Sequence, residues 1–301
     1  HRLRPEIIAT VVANDMINRC GPSFPARIMA AAGCDVRALT AGYEAAKQAL
    51  DFEQLWAEVE ALDLKVPAKA QLALFRRLVA SLRGATFWLA RRAGREGLDV
   101  AALTHRYGPG FESLHSLMPD ILPPVERAGV DQRIAQLVEA GAPAKAAQAA
   151  AVLGPLTNVG DLVDLAEASS WPLPNVARLY YATGAAFAFD RLRAAAGEFR
   201  AGDIFERTAL RRLIEDLLAE QAGLTRAIMA FAGGAEAGKD DAHAAEAVAA
   251  WARPRPEQAR APVRTIEEIE SSGGAWSFAK LTIANAALRE LLAEAGSKRP
   301  R

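Results

Sequence analysis

Apolar residues recur at helical spacing from one end of this sequence to the other, and almost nothing in it alternates. Alanine and leucine dominate, and β-branched runs are short. No stretch sets apolar against polar residues at every second position for long enough to build a strand. The expected fold class is therefore all-α: a compact, bundle-like assembly of many helices with no significant sheet. This constraint already reaches function, because the phosphate-binding loops of nucleotide folds need a strand to feed them.

Caps and breakers mark the expected helix boundaries. The first helix should stop at Gly21 with Pro22 behind it. Asp35 can cap "VRALTAGYEAAKQAL", and Asp51 with Gln54 has capping-box spacing. A long pattern follows Pro67 as far as Gly94. Asp99 can open a short helix before "YGPG", where Gly108, Pro109 and Gly110 should break it. The middle of the chain reads as several short packed helices. From Pro174 one longer pattern runs through "NVARLYYATGAAFAFDRLRAAAGEF", and Asp203 with Glu206 supplies a capping box for a helix reaching about Phe231. Thr265 with Glu268 has the same spacing, and "GAWSFAKLTIANAALRELLAEAG" should close the fold. The organisation expected is one helical domain over residues 1–301, with sub-lobes 1–118 and 119–301 and flexible linkers at 233–240 and 253–264. No internal repeat or sustained heptad points to a solenoid or coiled coil.

Composition narrows the function classes. Of the 301 residues 51% are hydrophobic and 24% charged, which is the balance of a folding chain. Basic and acidic residues stand at 36 each, so no overall field favours a polyanion. The local exception is "FRRLVASLRGATFWLARRAGR", where Arg76, Arg77, Arg83, Arg91, Arg92 and Arg95 decorate one helix. It reads first as a solvated face and second as an anion or RNA site. Cys20 and Cys34 form neither a disulfide framework nor a zinc module, which fits a reducing setting. No apolar run reaches the roughly 18 residues a membrane span needs. A start at His1 rather than Met suggests part of a longer chain.

Motifs that carry chemistry are matched only in part. "GGAEAGKDD" places Gly233, Gly238 and Lys239 as in a phosphate loop. Asp240, however, stands where a hydroxyl should hold magnesium, and the segment before it is helical, so it reads as an interhelix connection. His105, Glu112 and His115 lie close in sequence without metal-ligand spacing. Trp171, Tyr180, Tyr181, Phe187 and Phe189 read first as core and second as the lining of a pocket. Carboxylate pairs such as Glu267 with Glu268 sit in polar surroundings that raise no pKa for acid or base work.

The segment "EIIATVVANDMINRCGP" raises a separate question. At about 100° per residue, Ile7, Ile8, Val11 and Val12 cover half of a helix, and Asn14, Asp15 and Asn18 project onto the same half. An unpartnered polar group there would cost about 1 to 3 kcal/mol. These side chains should therefore cap or cross-link neighbouring helices.

The sequence also carries a resemblance. "LRPEIIATVVANDMINRCGPSF" resembles the segment that follows the catalytic part of the large bacterial NAD-specific glutamate dehydrogenases. "LFRRLVASLRGATFWLARR", "LYYATGAAFAFDRLRAAA", "RRLIEDLLAEQAGLT" and "GAWSFAKLTIANAALRELL" match in the same order, and together they span nearly all of the chain. The resemblance implies a parent enzyme that oxidatively deaminates L-glutamate to 2-oxoglutarate and ammonia with NAD. In that family the glycine-rich dinucleotide loop and the catalytic lysine and aspartate lie upstream, so no catalytic, cofactor-binding or metal residue carries over to this numbering. The implied role is a non-catalytic C-terminal helical domain that supports oligomerisation or restrains domain closure. Its alternative is an effector-binding regulatory module. The expected partners are the upstream catalytic domain and further copies of the chain, with no nucleic acid or membrane, in the cytoplasm. On this reading Asn14, Asp15, Asn18 and Arg19 are candidate interdomain contacts.

Overall fold

A computed structural model describes the backbone of residues 4–297 and, within it, the side chains of residues 10–156 and 158–295. Among the described residues there are fifteen α-helices and no strand, as the spacing of apolar residues required. They are α1 (Arg4–Cys20), α2 (Phe24–Ala32), α3 (Val36–Ala49), α4 (Phe52–Glu60), α5 (Ala68–Glu96), α6 (Val100–Ile121), α7 (Pro124–Glu139), α8 (Ala144–Val152), α9 (Val159–Ser169), α10 (Leu173–Ala186), α11 (Phe189–Glu198), α12 (Ile204–Ala232), α13 (Asp241–Ala252), α14 (Pro256–Ser271) and α15 (Phe278–Ser297).

The chain divides into two compact units. The first comprises residues up to Met118 together with Gly129–Gly160, and the second comprises Pro119–Ala128 and the residues from Asp161 on. Residues 129–160 thus group with the first unit, not with the segments that follow them in sequence.

In the first unit α3 lies against α5 along a seam of small residues. Ala38, Ala41, Ala45 and Ala46 are buried on one side, and Ala85, Leu89, Ala90 and Ala93 on the other. Gly42 marks the closest approach: a Cβ there would stand 2.3 Å from the backbone nitrogen of Ala90. Side chains this small let two helix axes come close, so their backbones fill space that larger residues would occupy.

The second unit is built around α10, α12, α13 and α15. Tyr180, Tyr181, Phe187 and Phe189 are all at most 2% exposed, so these aromatics are core, as expected. Trp171, in the turn before α10, is only half-buried. Phe187 meets Trp251 of α13 edge to face, with ring centroids 5.8 Å apart.

Several boundaries follow their local signals. Gly21 ends α1 with φ +90°. Asp35 Oδ1 accepts from Ala38 N at 2.8 Å, Asp99 Oδ1 from Ala102 N at 2.9 Å, and Asp203 Oδ1 from Glu206 N at 2.8 Å. Glu206 Oε2 in turn accepts from Gly202 N at 2.7 Å, a reciprocal cap shifted by one residue.

Other boundaries depart from expectation, each for a packing reason. α6 runs unbroken through Gly108, Pro109 and Gly110. Its buried stripe of Leu103, Tyr107, Phe111, Leu114 and Met118 outweighs the one backbone hydrogen bond that Pro109 removes. Asp51 caps nothing, because the turn that buries Leu50 and Phe52 puts its backbone at φ +48°. Thr265 lies inside α14 rather than at its start. That helix begins at Pro256, so 256–264 is helix rather than linker, with Pro262 buried beside Ala259 and Ile266. The single pattern after Pro174 is two helices, α10 and α11, parted at Ala188, where φ is +62°. This bend lets both Phe187 and Phe189 be buried. α5 ends at Gly97, three residues past Gly94, which instead gives Cys34 room to pack.

Candidate functional site

The first helix divides its side chains differently from the expected pattern. Val12, Asp15, Met16, Arg19 and Cys20 turn inward, whereas Val11, Asn14, Ile17 and Asn18 are exposed. Asn14 and Asn18 therefore do not sit on a core-facing stripe, and the burial cost assigned to them does not arise. Met16 and Cys20, at 3% and 1% exposure, supply the apolar contact that Val11 was expected to give. Ile7 and Ile8 lie outside the residues whose side chains are described.

Asp15 and Arg19 do find partners, on α3 and α4. Tyr43 donates its hydroxyl hydrogen to Asp15 Oδ2 at 2.9 Å, and Lys47 Nζ reaches the same oxygen at 3.0 Å. Arg19 Nε lies 2.7 Å from Asp15 Oδ1, and its Nη2 donates to Glu53 Oε2 at 2.8 Å. Lys47 closes the ring with Glu53 Oε1 at 2.9 Å. The Arg19 guanidinium also lies over the rings of Phe52 and Trp56, at 5.2 and 5.0 Å from their centroids. Two cations and two carboxylates thus join three helices at one point. Beside this ring, Arg83 of α5 donates to the carbonyl of Cys20, tying down the end of α1.

The electrostatics of the ring suit joining rather than proton transfer. Burial by itself would raise the Asp15 carboxyl, but hydrogen bonds from Lys47 and Tyr43 and the charge of Arg19 hold it below its ordinary value. Glu53 is lowered in the same way: burial opposes, and Lys47 and Arg19 prevail. Burial and the Asp15 hydrogen bond push the Tyr43 hydroxyl far up, so it stays protonated and donates. The Cys20 thiol is pushed up to about 11, mainly by burial, and is no nucleophile at neutral pH. None of these groups has the near-neutral pKa that acid or base catalysis prefers.

Tyr43, Lys47 and Glu53 were not singled out from sequence. The available signal was the i,i+4 pair Tyr43 and Lys47 on an otherwise small-residue helix, but nothing local said what it faces.

The remaining sequence candidates are placed as follows. The stretch holding Gly233, Gly238 and Lys239 lacks the setting of a phosphate loop, since α12 rather than a strand precedes it. Asp240 caps α13, accepting from His243 N at 2.9 Å, and Lys239 pairs with Glu236 at 3.0 Å. Gly238 is pressed against α10, where a Cβ would stand 2.1 Å from the carbonyl oxygen of Asn175. The residues present thus do not fit an NAD phosphate site. His105, Glu112 and His115 are exposed on α6. Among the described residues no group of three His, Cys, Asp or Glu side chains is arranged to hold a metal. No described helix is long and apolar enough to cross a membrane. Cys34 lines an open cavity of about 700 Å³ with Arg37 and Asp99. Its thiol is raised by burial and by Asp35.

A family model described as "Glutamate dehydrogenase, C-terminal" matches residues 1–290. The chain is similar to the NAD-specific glutamate dehydrogenase of Halomonas elongata, at 28% identity over 234 residues, which are 78% of this chain and 14% of that protein. It is similar also to the NAD-specific glutamate dehydrogenase of Pseudomonas aeruginosa, at 28% identity over 186 residues, 62% of this chain and 11% of that protein. The chain therefore spans only a small fraction of the length of these relatives.

Proposed function

The chain belongs to the glutamate dehydrogenase C-terminal family, and from that premise we propose that it is the non-catalytic helical domain of an NAD-dependent glutamate dehydrogenase. The parent enzyme would oxidatively deaminate L-glutamate to 2-oxoglutarate and ammonia, with NAD held by an upstream part of the same chain. The observation that carries this reading is the match over residues 1–290 to a family defined as a C-terminal part.

Within the parent, we assign the domain a scaffolding role in which α1 is its joint with the catalytic part. Support comes from the two sides of that helix. Its inner side is tied to α3 and α4 through Asp15 and Arg19. Its outer side presents Val11 at 61% and Ile17 at 39% exposure beside the exposed amides of Asn14 and Asn18. Apolar side chains flanked by amides are a surface that a protein partner would cover. A role in bridging subunits draws support from Ile204 and Phe205 at the start of α12, 60% and 81% exposed. An effector-binding role is the second reading, and its support is a cationic groove in the first unit.

The joint is tested by Val11→Asp and Asn18→Ala in the full-length enzyme and in the 301-residue chain. Lower glutamate-dependent NADH formation in the enzyme, with the melting temperature of the chain unchanged, is the expected outcome. Loss of chain stability with unchanged enzyme activity would contradict it.

A further inference from the structure

The start of α5 and the second half of α7 enclose a groove of about 560 Å³. Lys69, Ala73, Arg76 and Arg77 recur at one helical face on one side, and Arg133, Gln136, Leu137 and Ala140 on the other. Four cationic side chains thus line it, against the single carboxylate of Glu139. Lys69 and Arg76 are exposed at the rim, while Arg77 and Arg133 are half-buried within.

Arg77 is the unusual member. Arg19, Arg83 and Arg193 are also half-buried, and each has a carboxylate or carbonyl partner. Arg77, among the described residues, makes no hydrogen bond or ion pair. A side chain at Gly154 would come within 3.9 Å of its Nη2, so the turn at Gly154 backs the guanidinium. Burial, and then the charge of Arg133, depress its pKa. A half-buried guanidinium beside a like charge, with no carboxylate of its own, gains an opposite charge to balance it when an anion binds. Guanidinium forks match the oxygens of carboxylate and phosphate groups, and a dianion would meet Arg77 and Arg133 at once.

We propose that the Arg77–Arg133 groove is a binding site for a small dianion bearing clustered oxygens, of the phosphate or dicarboxylate class. The site deepens the effector-binding reading and is independent of the scaffolding role, which would survive its failure.

Calorimetric titration of the chain with sodium phosphate and, separately, sodium succinate tests the site, with sodium chloride holding ionic strength constant. Saturable binding of at least one anion is expected, weakened about tenfold or more in both Arg77→Gln and Arg133→Gln and unchanged in Arg91→Gln. Which anion binds assigns the class. Should Arg77→Gln fail to fold, Arg133→Gln gives the same readout, since the site needs both forks. No heat from either anion beyond that of chloride, or undiminished binding in a folded Arg77→Gln or Arg133→Gln chain, would overturn the proposal.

Discussion

Asp15 shows how a single polar side chain organises its surroundings. It accepts from Tyr43 and Lys47 of α3 and pairs with Arg19 of its own helix, which carries the link on to α4. Asp15→Asn would keep the shape but leave Arg19 with Glu53 alone and Lys47 with Glu53 and the more distant Glu44, 3.6 Å away. The expected loss is about 2 to 3 kcal/mol in denaturant unfolding, against less than about 0.5 kcal/mol for the exposed Asn14→Ala. Glu220 of α12 presents the opposite case. It contacts Arg289 Nε at 3.1 Å, yet it is 8% exposed while Arg289 is 59% exposed, so the carboxylate loses its water and the guanidinium keeps its own. The amide orientation of Asn285 that suits its neighbours also donates to Glu220, at 3.0 Å. Burial wins, and the Glu220 pKa is raised from 4.5 to about 6. Because the folded value is the higher one, ionising Glu220 costs stability: the cost is absent below about pH 4.5 and complete above about pH 6. Glu220→Gln should therefore gain on the order of 2 kcal/mol relative to the unsubstituted chain between pH 4.5 and pH 7.5. Paired denaturant melts at the two pH values read this difference directly, and a difference that does not change with pH would contradict it.

At the scale of elements, what could be read from sequence was what is decided locally. Gly21, Asp35 and Asp203 end or start helices through groups close by in the chain, and each behaves as its spacing predicts. Pro109 and Pro262 instead lie inside helices whose flanking residues, Tyr107 and Phe111 in α6 and Ala259 and Ile266 in α14, are buried, and burial is not encoded by a local breaker. The Asp15 ring was half legible. Its polar residues stood out in an apolar helix, but Tyr43 and Lys47 lie 28 and 32 positions away. The α3–α5 seam makes the strongest prediction at this scale. Gly42→Ala puts a methyl carbon 2.3 Å from the Ala90 nitrogen, a backbone atom that cannot step aside without parting the helices. A destabilisation above about 3 kcal/mol, or loss of cooperative unfolding, is expected by circular dichroism. Gly197→Ala, with open space around it, should instead stabilise α11 by up to about 1 kcal/mol.

At the scale of the molecule, the described residues are all-helical and the chain matches a family described as a C-terminal part of glutamate dehydrogenase. The ring of Asp15, Arg19, Lys47 and Glu53 joins helices: cations hold both of its carboxylates low, and the Tyr43 phenol and the neighbouring Cys20 thiol stay protonated. The resemblance read from sequence named the family, and the match over residues 1–290 agrees with it. The surfaces that would join this domain to the rest of an enzyme could not be read in the same way, because apolar spacing marks a helix face without saying which protein covers it. The most direct measurement is NADH formation by the purified 301-residue chain, supplied with L-glutamate and NAD and compared with the full-length enzyme. The proposed function predicts turnover by the full-length enzyme and none by the chain alone, and turnover by the chain alone would contradict it.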